Sequence, residues 1–401
     1  MLSSLILTKI LSFTISFIAI RLLLKDDFGN ISYANSVISF IVPFMGMGAF
    51  QGLIRYGAKL NNEKQKLELF NYSLKKGVIL TLFICIILWF LVPVVSTNLP
   101  GSAIYFKILI FQIIGLTFFE FIKSYFRLIH KNNLYALWDV IYYITLLIVV
   151  IILVKIYGAI GYVLALTFTS FVISVIIIFK YKLLRFEKTP LIDSIELNNF
   201  WKYGLIVSIG TVSSQILYSI DIVMLGNVLG NSSDVAVYKA AGIIPFNLRF
   251  IASAFITADY VKFAENETNR NYLVSYYLNY LKIFAPLALF IIGFFYFSRE
   301  LISSVFGNGY EKVSSIIWVF AISVAANFIL RIPLGNILSA TKWANYNAFI
   351  SVLSLMINIV LNYFFIIKYG MIGAVWATAL TMWISGFIIL FLFVTYIKRS
   401  L

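Results

Sequence analysis

The sequence contains one nine-residue stretch twice: YGAIGYVLA at residues 157–165 returns as YGMIGAVWA at residues 369–377. Six of the nine positions are identical, and the two copies stand 212 residues apart. Glycine adopts backbone conformations that other residues avoid, so each copy is typical of a tight turn that reverses the chain between two antiparallel helices. Recurrence at a fixed lag predicts that the chain is built from a duplicated unit.

The composition indicates where these helices lie. Of the 401 residues, 62% are apolar and only 12% are charged, and the mean hydropathy is +0.97. Soluble domains carry roughly 25% charged residues, so this composition excludes a water-soluble enzyme. The 38 Phe and 25 Tyr residues exclude a disordered chain. Long uninterrupted apolar runs favour membrane-spanning helices over the alternating strands of a β-barrel.

Breaks in the apolar runs divide the chain into twelve predicted spans, because a helix needs about 20 residues to cross the hydrocarbon core. The spans are expected near residues 4–24, 31–56, 74–95, 102–126, 134–156, 160–179, 200–225, 235–259, 272–297, 313–337, 344–367 and 371–397. The first lacks the basic start and cleavage site of a signal peptide, so we expect it to be retained. The longest polar segments lie at residues 61–76 and 180–202.

The duplicated unit therefore holds six helices. Because six is even, both copies enter the membrane from the same side, which predicts a parallel repeat about an axis along the membrane normal. The expected fold is an all-α polytopic membrane protein with two six-helix bundles around a central cavity. We expect the bundles at residues 1–182 and 200–401, joined by a cytoplasmic linker at residues 183–199.

The net charge of +15 follows mainly from topology. Of the 31 Lys and Arg residues, twenty fall in or beside loops on one side of the predicted spans and seven fall on the other. The positive-inside rule then places both termini in the cytoplasm, and nucleic acid is not expected as a partner. All the outer loops are short, which favours transport over an enzyme with a site on the outer face.

Several segments resemble the Wzx-type O-antigen flippases of the multidrug/oligosaccharidyl-lipid/polysaccharide (MOP) exporter superfamily. They are FGNISYA at residues 28–34, Asp221 followed by MLG at residues 224–226, Tyr238, and the paired glycine turns. The resemblance implies a MATE-like fold in the bacterial inner membrane. It also implies a cargo, an undecaprenyl-diphosphate-linked oligosaccharide that moves from the cytoplasmic to the periplasmic leaflet. Membrane lipids, a polysaccharide polymerase and a chain-length regulator are the partners to expect.

Such a cargo needs cations at membrane depth, where they are otherwise costly. Arg249, near the middle of the eighth span, and Lys9, in the first, are the main candidates to bind the diphosphate; the alternatives are ion pairs within a bundle or a misplaced span boundary. Arg55, Arg331 and Lys282 lie nearer the cytoplasmic ends. These three are expected either to extend to the interface or to meet the diphosphate at the mouth of the cavity.

Three carboxylates also lie at membrane depth: Asp221, Asp139 and Glu120. A buried carboxylate can exchange a proton or a cation during transport, so each is a candidate coupling group. Asp221 also stands where the resembling family has a recurrent acid, and its alternative is an ion pair with Arg249 or Lys9. Glu120 has Lys123 three residues later, at a helical spacing that favours a local ion pair.

No ATP-binding loop, HExxH motif or nucleophile elbow occurs in the sequence, so neither a cofactor nor a metal is expected. The sequence leaves open whether a proton gradient, a sodium gradient or the membrane potential drives transport. Two other functions are alternatives. One is a multidrug/cation antiporter of the same superfamily, and the other is a membrane-embedded polysaccharide polymerase.

Overall fold

A computed structural model describes residues 2–60, 62–184 and 197–399. Within these ranges the chain is helical and contains no strand. It forms two compact units, Met1–Gln215 and Ile216–Leu401. Of the predicted linker at residues 183–199, positions 185–196 lie outside the described residues.

The helices of the first unit are α1 (Leu2–Leu22), α2 (Lys25–Ile41), α3 (Ala49–Gly57), α4 (Glu63–Val95), α5 (Ala103–Leu128) and α6 (Asn132–Tyr181). Helix α7 (Leu197–Leu229) begins in this unit and continues into the second. The second unit contains α8 (Ser232–Ala258), α9 (Tyr260–Glu265), α10 (Arg270–Phe297), α11 (Arg299–Phe306), α12 (Val313–Ala326), α13 (Ile332–Ser339) and α14 (Ala344–Arg399). A π-helical turn, Asn327–Arg331, joins α12 to α13.

Nine helical segments of the described chain are long and apolar enough to cross a membrane. Two of them, α6 with 50 residues and α14 with 56, are long enough to cross twice. A shorter apolar segment, Ser219–Leu229, lies in α7. The protein is therefore a multi-pass membrane protein, and the count of twelve spans stays a prediction.

Both long helices break at the repeated glycine motif. The backbone leaves the helical conformation at Gly158 (φ 57°, ψ −133°) and in nearly the same way at Gly370 (φ 59°, ψ −139°). A Cβ atom on Gly161 would collide with the carbonyl oxygen of Leu153, eight residues earlier. Eight residues of a continuous helix span about 12 Å, so this contact requires the chain to turn back on itself. The predicted tight turn is confirmed.

The second copy of the motif has the same geometry. A Cβ atom on Gly373 would collide with the carbonyl oxygen of Phe365, again eight residues earlier. The two glycines of each motif therefore have different roles, because the first adopts a positive φ and the second leaves room for the returning backbone. The repeat found in the sequence is a repeat of backbone geometry.

The predicted second span, residues 31–56, is not one continuous helix. The backbone is non-helical at Met45, Gly46 and Met47 within the segment Val42–Gly48, which separates α2 from α3. At this break the backbone N–H of Gly46 donates to Thr81 Oγ1 at 2.9 Å. A Cβ atom on Gly48 would collide with the backbone of Gly204 on α7, so the break packs closely against that helix.

The sequence predicted a break at the polar segment 61–76, before a span at residues 74–95. In the structure this segment is largely helical. Helix α4 begins at Glu63, directly after Asn62. The Asn62 side chain accepts a hydrogen bond from the backbone N–H of Lys64 at 2.9 Å, which is a favourable helix cap. A capped start lets the helix extend beyond its apolar portion. The position of the apolar run in the sequence does not reveal such an extension.

Candidate functional site

The second unit contains a buried polar cluster centred on Asp221, whose residue is only 2% exposed. Three neutral side chains donate hydrogen bonds to its carboxylate. Tyr238 Oη donates to Oδ2 at 2.8 Å, Thr378 Oγ1 donates to the same oxygen at 2.6 Å, and Asn362 Nδ2 donates to Oδ1 at 2.6 Å. In the described part of the chain no Lys or Arg forms an ion pair with Asp221.

Three helices build this cluster, and the Gly370 turn is what makes it possible. Asp221 lies on α7, Tyr238 on α8, and both Asn362 and Thr378 on α14. Asn362 and Thr378 are separated by 16 residues, which would span about 24 Å in a continuous helix. Because α14 breaks at Gly370, its two halves present these side chains to one carboxylate. The repeated glycine motif therefore assembles the cluster, although its glycines donate no side chain to it.

Two amide oxygens of the cluster have no hydrogen-bond donor among the described residues. They are the Oδ1 atoms of Asn358 and Asn362, and both residues are fully buried. The amide nitrogen of Asn358 contacts Thr381 Oγ1 at 3.5 Å. Buried polar atoms without partners are costly, and they often mark a site where a ligand or ion binds. A buried carboxylate that only neutral groups contact can be neutralised by a proton or by a cation.

The three cluster residues on α14 have apolar counterparts at the same positions of the first repeat. Subtracting the lag of 212 residues moves Asn358, Asn362 and Thr378 to Leu146, Val150 and Leu166, all of them apolar. Leu146 and Val150 are buried. The two halves thus share the turn geometry but differ in chemistry at these three positions.

The other two predicted carboxylates, Glu120 and Asp139, form a separate site in the first unit. Lys123 Nζ lies 3.1 Å from Glu120 Oε1 and 3.0 Å from Asp139 Oδ1, so one ammonium joins α5 to α6. The Lys123 and Asp139 side chains are each only 12% exposed. The geometry fits the ion-pair alternative for Glu120. The sequence missed the link to Asp139, because the helical spacing rule applies only within one helix.

The five predicted cations contact different groups. Arg249 is half-buried; its Nε donates to the Phe246 carbonyl at 3.1 Å, and its guanidinium lies 4.7 Å from the centre of the Phe246 ring. Arg331 is half-buried and donates to Ser354 Oγ at 3.2 Å. The remaining three, Lys9, Arg55 and Lys282, are exposed.

Two of the exposed cations have neutral partners. The Arg55 guanidinium lies 4.2 Å from the centre of the Tyr203 ring, and Lys282 Nζ donates to Asn279 Oδ1 at 2.9 Å. Among the described residues, no carboxylate forms an ion pair with Lys9, Arg55, Lys282 or Arg331. These four positive charges are therefore not neutralised within the described chain.

The family model described as "Polysaccharide biosynthesis protein" matches residues 1–260. The chain belongs to this family. An uncharacterized membrane protein of Methanocaldococcus jannaschii is 24% identical over 408 residues; the match covers 94% of this chain and 78% of that protein.

Solved structures share the fold of this family member over nearly its whole length. An inward-facing multidrug resistance MATE family transporter of the MOP superfamily has a TM-score of 0.73 at 16% identity, covering 98% of this chain and 95% of its own. The lipid II flippase MurJ, in an inward closed conformation, has a TM-score of 0.69 at 18% identity, covering 98% and 90%. A MOP superfamily transporter from Pyrococcus furiosus has a TM-score of 0.64 at 15% identity, covering 99% and 95%.

The comparisons confirm the predicted all-α, MATE-like fold. Sequence reasoning placed Asp221 among the site residues of this family member but did not identify the side chains that hold it. Asn358 and Asn362 are four residues apart and therefore share one helix face, which was the available signal. Thr378 gave no such signal, because only the turn at Gly370 brings it to the carboxylate.

Proposed function

We propose that the protein is a flippase. In this proposal it moves an oligosaccharide linked to undecaprenyl diphosphate from the cytoplasmic to the periplasmic leaflet of the bacterial inner membrane by alternating access. Both termini lie in the cytoplasm, and a polysaccharide polymerase and a chain-length regulator act on the exported unit. The oligosaccharide is the repeat unit of O-antigen or of a similar surface polysaccharide.

The observation that carries the proposal is the set of cations without carboxylate partners. Arg331, Lys9, Arg55 and Lys282 are charges that the described carboxylates do not neutralise. Of these, Lys9 is the one expected at membrane depth, where a positive charge is costly and usually serves a substrate path, and the other three are expected nearer the cytoplasmic mouth where the cargo would enter. A diphosphate is an anion that guanidinium and ammonium groups bind well. Membership in a polysaccharide biosynthesis family and the fold shared with MurJ favour a lipid-linked sugar as the cargo.

Deleting the gene tests this function in the cell. We expect the surface polysaccharide to be lost and undecaprenyl-linked repeat units to accumulate in the inner membrane, both measured by extraction and gel or mass analysis. Restoring the gene on a plasmid is the control. If both stay unchanged while sensitivity to cationic drugs rises, the multidrug antiporter, whose fold this chain shares, becomes the better assignment.

The proposal assigns coupling to Asp221. Supporting it are the burial of the carboxylate, its three neutral hydrogen-bond donors, and the two spare amide oxygens of Asn358 and Asn362. Asp221 and these amide oxygens would hold a Na⁺ ion, or Asp221 alone would hold a proton. Loss of the bound charge would leave a buried carboxylate with only neutral donors, which favours rearrangement of the helices that carry them. Glu120 and Asp139 are not assigned this role, because they share Lys123.

A further inference from the structure

The π-helical turn Asn327–Arg331 leaves two backbone carbonyls without their usual donors. The N–H of Ile332 bonds to the Asn327 carbonyl, five residues back, so it is not available to the Phe328 carbonyl, four residues back. The next residue, Pro333, has no N–H to give to either Phe328 or Ile329. The Phe328 carbonyl therefore loses its helical donors at both spacings, and the Ile329 carbonyl loses the donor four residues on.

Two tyrosines of α10 supply those donors. Tyr280 Oη donates to the Phe328 carbonyl and Tyr277 Oη donates to the Ile329 carbonyl, each at 2.8 Å. The tyrosines are three residues apart, so they lie on one face of α10, and both are buried. Unpaired carbonyls at membrane depth are strongly disfavoured, so these two bonds stabilise the π turn against an ordinary α-helical turn.

The π turn determines where Arg331 points. One residue of an α-helix corresponds to about 100° of rotation, so inserting one extra residue into a turn rotates the next side chain by about that angle. In the π-helical register Arg331 Nη1 donates to Ser354 Oγ on α14 at 3.2 Å. An α-helical register would turn the guanidinium to another side of the helix.

We propose that Tyr277 and Tyr280 are positioning residues that hold the π turn and so direct Arg331. This inference rests on the proposed function only in giving Arg331 a role in binding the cargo diphosphate. The two hydroxyls act through backbone carbonyls and do not touch the cargo. Their loss changes the direction of Arg331 without changing its charge.

Thiol labelling tests the positioning directly, with the full-length chain in detergent. The reporter is Arg331→Cys in a chain whose only native cysteine, the buried Cys85, is replaced by Ala. Adding Tyr277→Phe and Tyr280→Phe together should change the rate of reaction with a water-soluble maleimide by about fivefold or more, because each change leaves a buried carbonyl unsatisfied. An unchanged rate in a folded protein, judged by gel filtration and melting temperature, would overturn the inference.

Tyr276→Phe is the matched control. Tyr276 lies on the same helix and its hydroxyl also donates a hydrogen bond, but to Asp259 Oδ2 at 2.9 Å rather than to the π turn. In the Arg331→Cys reporter chain, we expect Tyr276→Phe to leave the labelling rate unchanged. If it shifts as much as the double variant, general loosening of α10 explains the effect and the positioning role is wrong.

Binding of undecaprenyl diphosphate separates this inference from the proposed function. With Arg331 present, the two Phe substitutions should weaken binding several-fold. In an Arg331→Gln background they should add nothing, since the residue they position is gone. Additive losses would contradict the inference. If Arg331→Gln alone leaves binding unchanged while the labelling rate still responds, the cargo role of Arg331 is wrong and the positioning stands.

Discussion

Asp221 is the residue on which the coupling proposal depends. We expect Asp221→Asn to fold but to lose export, because an amide retains the shape of the side chain without its charge. In the purified wild-type protein, Na⁺ should raise the melting temperature if Na⁺ is the coupling ion, since a ligand that binds the folded state stabilises it. The variant should show no such rise.

Asp234→Asn serves as its control. Asp234 is another acidic residue of the second unit, but it lies in the first turn of α8, where it pairs at 3.8 Å with the exposed Lys312. Its variant should keep both export and the response to Na⁺. If pH rather than Na⁺ shifts the melting temperature of the wild type alone, the proton is the coupling ion. Export by Asp221→Asn at the wild-type rate would contradict the coupling role.

Lys123 offers a second test at the residue scale. Replacing it by Met would leave Glu120 and Asp139 without their shared cation. Breaking a buried ion pair by removing one partner costs about 3–5 kcal/mol, so we expect a clear fall in melting temperature. Lys262→Met should cost little, because Lys262 is exposed where it pairs with Asp259. Equal melting temperatures for the two variants would show that the ion pairs of Lys123 with Glu120 and Asp139 do not stabilise the packing of α5 on α6.

At the scale of elements, the glycine turns are the feature that the sequence predicted best. Each turn needs glycine twice, once for a positive φ and once for close backbone approach, and glycine is visible in the sequence. The positions are Gly158 and Gly161 in the first copy and Gly370 and Gly373 in the second. The break between α2 and α3 was not predicted in this form. Gly46, Met47 and Gly48 all adopt positive φ there, and the break packs against Thr81 and Gly204, which are distant in the sequence.

The turn after the first half of α14 can be tested by adding one methyl group. We expect Gly373→Ala to lower the melting temperature strongly and to abolish export, because its Cβ would collide with the Phe365 carbonyl and displace Thr378 from Asp221. Gly293→Ala is the control, since nothing lies within 4 Å of its added Cβ near the end of α10. That change should be neutral or stabilising by up to about 1 kcal/mol. Similar losses in both variants would argue against the turn.

For the whole molecule, composition and hydropathy were enough to predict an all-α membrane fold, and the lag of 212 residues predicted its duplication. The candidate site was less accessible to sequence reasoning. Asp221 was identified, but Thr378 reaches it only through the turn at Gly370, and Asp139 reaches Lys123 only through packing of α5 on α6. Contacts between helices depend on tertiary geometry, which spacing within one helix does not encode.

We propose that this protein moves a lipid-linked diphosphate and that Asp221 couples the movement to a cation. The most direct measurement is flipping of undecaprenyl-diphosphate carrying one fluorescently labelled sugar in proteoliposomes, read by quenching from outside, with an imposed Na⁺ or proton gradient. We expect the wild type to move the lipid faster when one of these gradients is imposed, and Asp221→Asn to ignore the gradient. Flipping no faster than in protein-free liposomes, or equal gradient dependence in wild type and Asp221→Asn, would contradict the account.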